Sequence, residues 1–150
     1  MGLDMYLSAK KNFYSEESDS FADLLKAAEL EPSDIDEGYS SAIVSFKVGY
    51  WRKANSIHAW FVKNVQSEKD DCDEYYVSRK NLETLKLTCL EVLKDLNKAK
   101  DLLPPQEGFF FGSQHIDQGY KEDLEKTVAI IDRCQSDKLT DWDFYYQASW

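Results

Sequence analysis

The chain has 150 residues, with 18 Lys and Arg against 28 Asp and Glu for a net charge of −10, and 43% of it is hydrophobic. Eight Phe, nine Tyr and four Trp exclude a chain disordered throughout, and at this length folding buries about two-thirds of the surface, enough for one core without metal or disulfide. The acidity counts against an autonomous nucleic-acid binder, whose affinity rests on neutralising phosphates, and against docking on an anionic membrane.

Leu3, Met5, Leu7 and Ala9 alternate with Asp4, Tyr6 and Ser8, the period of a strand with one buried face. Phe21, Leu24, Leu25 and Ala28 then recur at helical spacing, with Ser18, Asp19 or Ser20 available as N-cap. Pro32 and Gly38 mark a loop. Val44, Phe46, Val48 and Tyr50 predict one face of a second strand, and Ala54, Ile57, Phe61 and Val65 a short amphipathic helix. After a polar stretch, Tyr75–Val77 reads as a third strand. Leu82, Leu85, Cys89, Val92, Leu96, Ala99 and Leu103 form one stripe, predicting a long central helix over 81–103 that Pro104-Pro105 stops. Phe109–Phe111, between two glycines, reads as a short strand or packed loop. Tyr120, Leu124, Val128 and Ile131 predict a last helix over 118–135, and Phe144–Tyr146 a terminal strand. Short, alternating, aromatic strands suit a sheet covered on one face. The expected fold is therefore a single α+β domain, with helices packed on one face of a small, mostly antiparallel sheet.

No apolar run is long enough for a signal peptide or a membrane span, and the three cysteines form no paired motif. Cys89 and Cys134 fall within helical patterns, where a small buried thiol is the ordinary role. These features predict a cytoplasmic protein.

The strings MGLDMYL, GYWRKANSIHAWFV, EYYVSR, LLPPQEGFFFGS and DFYYQASW together resemble a family of small proteins encoded by bacteriophages and prophages. The resemblance spans most of the chain, least clearly over 16–37. It implies a phage accessory protein acting in the host cytoplasm, and it brings no activity, cofactor or site residues with it.

The strings that mark phosphate loops, dinucleotide folds, serine hydrolases and zinc proteases are absent, so no cofactor and no metal is expected. Asp70, Asp71, Asp73 and Glu74 lack the spacing of a calcium loop and read as a solvated turn. Three features carry more information. Residues 16–37 hold nine acids against Lys26, a net of −8, among them Glu16, Glu17, Asp34, Asp36 and Glu37. Such a field steers a basic partner, and the sharpest form of that reading is an acidic inhibitor of a host nucleic-acid-binding protein; a merely solubilising face is the plainer one. Arg52, Lys53, Asn55 and His58 gather at a strand-to-helix junction, with His115 as the only other imidazole. They suggest, as the alternative, a small enzyme or ligand-binding domain for a phosphorylated metabolite or nucleotide, with both histidines on one concave surface. Arg52 paired with an acid and His58 packed under an aromatic is the competing structural role. The closing cluster of Trp142, Phe144, Tyr145, Tyr146 and Trp150 suits core packing, or else the interface of a homodimer rather than a monomer.

Overall fold

A computed structural model describes residues 2–15, 18–36, 38, 40–108 and 112–150. Among these residues four strands form one antiparallel sheet in the order β2-β1-β4-β3: β1 (Asp4–Tyr14), β2 (Ser41–Arg52), β3 (Tyr75–Val77) and β4 (Asp143–Ser149). Among the described residues, five helices accompany them: α1 (Ser18–Ala27), α2 (Asn55–Asn64), α3 (Arg79–Lys94), α4 (Ala99–Leu102) and α5 (Gln118–Cys134). The fold is α+β, as the strand patterns predict. The chain divides into two compact units, one of residues 1–9 and 47–150, the other of residues 10–46.

In the larger unit, the inward residues of β1 (Leu3, Met5, Leu7 and Ala9) are fully buried, as their alternation requires. They share one core with Trp51, with Phe144, Tyr146 and Ala148 of β4, and with the apolar stripes of α2, α3 and α5. Tyr76 pairs with Tyr145, and Val77 with Phe144, across β3 and β4. Cys89 and Cys134 lie in this core, where burial pushes their thiols up to about 12 and about 11, so both stay protonated and unreactive.

The expected face of β2 holds only in part. Val44 and Val48 are half-buried, Val48 against the core, but at the end of the strand Gly49 and Trp51 are the buried residues, while Phe46 and Tyr50 are exposed. Two contacts fix this parity. The indole N–H of Trp51 donates to Thr127 Oγ1 at 2.8 Å inside the core. Gly49 lies so close to α5 that an added Cβ would meet Ile130 Cγ2 at 2.7 Å. An apolar count along the strand cannot register a glycine that buries by making room.

The expected helix over 81–103 is broken. The helix α3 starts at Arg79 with Ser78 as N-cap and ends at Lys94. Asp95 then leaves the helical region (φ −146°, ψ 96°) and its side chain accepts from Asn97 N, starting a 3-10 turn that leads into α4. A short polar side chain here competes with the backbone ladder and restarts it as a new N-terminus. The apolar stripe survives the break: Ala99 and Leu103 are buried, whereas Leu96 is only half-buried. Pro104 follows directly, and the hydroxyl of Tyr120 donates to Leu103 O at 2.8 Å.

The unit of residues 10–46 holds the remainder of β1 and β2, closed by Ser15 N donating to Ser40 O at 3.0 Å, together with α1 and a 3-10 turn at Pro32–Asp34. Among its described residues, Phe21 of α1 is the one buried hydrophobic; Leu24 and Leu25 are half-buried, and Ala28 is exposed. Tyr14, Leu30, Ile43 and Phe46 are exposed by 52, 42, 67 and 59%. The expected strand or loop at Phe109–Phe111 lies outside the described residues.

Candidate functional site

The junction at the end of β2 is built by close backbone packing. Lys53 takes a left-handed conformation (φ 60°), its N–H donates to Leu3 O at 2.7 Å, and its carbonyl accepts from Asn55 N, so the chain turns sharply into α2. Gly112 (φ 90°) lies against it; an added Cβ would meet Lys53 Cβ at 2.9 Å, and among the described residues this is the one glycine at which a positive φ is required. Asn55 is a clamp rather than a ligand-facing group. Its Nδ2 donates to Ser113 O at 2.9 Å and its Oδ1 accepts from Gln106 N at 3.0 Å, tying both residues to the start of α2.

Arg52 turns to the sheet's outer face. Its Nη1 reaches Asp4 Oδ1 at 3.1 Å, and Tyr50 donates its hydroxyl to the same oxygen at 2.5 Å. The Asp4 carboxylate and its hydrogen bond hold the Tyr50 phenol above its ordinary range, and its proximity to Tyr50 and Asp4 raises Arg52 further.

His58, on the second turn of α2, is buried, and both ring nitrogens are engaged. Nδ1 lies 2.8 Å from Tyr146 Oη and Nε2 lies 3.0 Å from Asp70 Oδ1. Burial lowers the imidazole below its ordinary 6.5, outweighing the opposing pull of Asp70, so the ring is neutral at pH 7. A carboxylate only accepts; therefore Nε2 carries the proton and donates to Asp70, and Nδ1 accepts from Tyr146. Burial raises the Tyr146 phenol well above 10, which keeps that proton in place. Trp150 lies edge-on against the ring at 5.5 Å, and Tyr146 stacks flat on Phe61 at 3.9 Å.

Two concavities flank α2. The larger, a groove of about 770 Å³, is lined by His58, Asp70, Trp60, Lys63, Asp101 and Glu107 among others. The smaller, about 320 Å³, gathers Arg52, Lys53, Asn55 and His115. The two histidines are therefore not brought to one surface: His58 lines the groove and His115, exposed, the smaller cavity. Helix packing explains the separation, since His58 lies on the face of α2 that meets β4, whereas His115 belongs to the loop ahead of α5. Asp117, Glu122 and Asp123 share the smaller cavity, and burial pushes the Asp123 carboxyl up to about 6. Three carboxylates beside Arg52 and Lys53 make it a poor place for a phosphate.

Of the acidic candidates, Asp34 and Asp36 are exposed and shape their own loop. Asp34 Oδ2 accepts from Glu31 N at 2.9 Å and Asp36 Oδ1 from Gly38 N at 3.0 Å. Glu16, Glu17 and Glu37 lie outside the described residues. The partners of His58 are the part that sequence reading missed: Asp70 and Tyr146 lie 12 and 88 residues away, and no spacing rule links them.

No protein-family model, curated protein or solved structure matches the chain. Among the described residues, no helix is long and apolar enough to cross a membrane, and no group of three His, Cys, Asp or Glu could hold a metal ion.

Proposed function

We propose that this chain is a phage or prophage accessory protein that works, without catalysis, by binding a basic host protein in the host cytoplasm through residues 10–46. The observation that carries this reading is the make-up of that unit. It has 37 residues, a size at which an isolated core rarely suffices, and it exposes Tyr14, Leu30, Ile43 and Phe46 while burying only Phe21 among its described hydrophobics. Exposed apolar side chains beside a stretch of net charge −8 combine what an interface needs: apolar anchors for affinity, and charge for steering and orientation. A surface built only for solubility would carry the acids without the anchors. A host protein that binds nucleic acid is the partner class whose surface offers the complementary charge.

The test is capture from nuclease-treated host lysate by the full chain and by a variant with Glu16→Gln, Glu17→Gln, Asp34→Asn and Asp36→Asn. The expected result is a basic protein retained by the wild type, released by salt and lost from the variant. Identical retention by both chains would contradict the reading.

A further inference from the structure

The groove beside α2 has features that binding through residues 10–46 does not use. Asp70 is fixed there by buried chemistry: Tyr146 orients His58, and the Nε2–H of His58 holds Oδ1 at 3.0 Å. Its Oδ2 makes no hydrogen bond with a described residue, and the side chain is 42% exposed. Glu68, Asp101 and Glu107 line the same groove, and none pairs with a cation among the described residues; Lys63 is the one basic side chain in the lining. Ser56, 4% exposed, forms part of the wall of this groove as well as of the smaller cavity, and its hydroxyl has no hydrogen-bond partner among the described residues. Trp60, Leu102 and Pro104 line the same groove and supply apolar surface.

We propose that this groove binds a linear aliphatic polyamine, with one ammonium on Asp70, others on Glu68, Asp101 and Glu107, and its methylenes on Trp60, Leu102 and Pro104. Charge and spacing select that class. Four carboxylates against one lysine favour a ligand carrying several positive charges. The acids do not converge within reach of one metal ion, so the matching cation is one whose charges are spread along a chain. A volume of about 770 Å³ suits a small molecule. Asp70 is the anchor, because a carboxylate already oriented by a neutral histidine loses little freedom on binding. The Ser56 hydroxyl would accept from an ammonium N–H.

Calorimetric titration of the full chain with spermidine, putrescine and magnesium chloride at matched ionic strength tests this. Expected are saturable one-to-one binding of spermidine, weaker binding of putrescine, and no competition from magnesium. Asp70→Asn, which keeps an acceptor for His58, should weaken spermidine about tenfold, and Asp101→Asn with Glu107→Gln by a similar factor. Both double-variant positions are exposed, so that pair reports on the groove even where Asp70→Asn disturbs His58. Glu125→Gln, an exposed acid outside the groove, should change affinity by less than about twofold. Unsaturable binding, equal losses with Glu125→Gln, competition by magnesium, or binding of an arginine-rich peptide but not of spermidine would each overturn the proposal.

Discussion

His58 and Asp123 give stability opposite dependences on pH. The folded imidazole titrates below its ordinary 6.5 because it is buried, so the unfolded chain takes up a proton first as pH falls. The stabilisation from neutral His58 is complete above about 6.5 and declines below it. Asp123 is displaced the other way, up to about 6 from 3.8. The unfolded chain ionises first as pH rises, so stability falls between 3.8 and about 6 and is level above that window. Asp123→Asn should therefore raise stability at pH 7 by about 1 kcal/mol, the shift being discounted for partial solvent exposure. Urea unfolding at pH 4 and pH 7 checks it: the gain should shrink at pH 4, and a gain equal at both would show that ionisation is not its source. His58→Gln should flatten the loss of stability between pH 7 and pH 5, at a cost of about 1–3 kcal/mol at pH 7 for the hydrogen bond left unmade to Tyr146 or Asp70. A slope unchanged from the wild type would mean that His58 does not titrate on unfolding.

At the scale of elements, α3 and α4 show how far periodicity reaches. A stripe from Leu82 to Leu103 is visible in sequence because apolar residues recur every three or four positions, and that stripe is buried along Leu82, Leu85, Cys89 and Val92. The break at Asp95 is invisible to the same test, since the stripe resumes in phase at Ala99. Stability distinguishes the two. Leu85→Ala should cost about 2–5 kcal/mol in a fully buried site, whereas Leu96→Ala, half-buried beside the break, should cost about 1 kcal/mol. Equal costs in chemical denaturation would mean that one uninterrupted helix buries both. The inward face of β1 was legible for the same reason as α3: alternation is local. The inward residues at the end of β2 were not, because Gly49 and Trp51 are placed by Ile130 and Thr127, about 80 residues on. The candidate site divides in the same way. The chemistry of Arg52, Lys53, Asn55 and His58 was visible, but their partners, Asp4, Ser113, Asp70 and Tyr146, belong to tertiary structure.

Across the whole molecule, apolar burial and charge are unevenly distributed. Among the described residues, 1–9 and 47–150 carry nearly all the buried core, whereas 10–46 carry half of the large exposed hydrophobics; residues 16–37 also hold the densest acid in the sequence. The net charge of −10 bears on the partner and not on the fold, because charge sets solubility and encounter rates while burial sets architecture. Salt should therefore weaken the partner's association more than it weakens the folded state. The most direct measurement places a photo-crosslinking amino acid at Ile43 or Phe46 in the full chain, and as a control at Leu87, an exposed apolar residue of α3. Expected are capture of one basic host protein from Ile43 and Phe46 in nuclease-treated lysate, no capture of it from Leu87, and loss of the product when Glu16, Glu17, Asp34 and Asp36 are neutralised. Capture of the same protein from Leu87, or from Ile43 irrespective of those four acids, would contradict binding through residues 10–46.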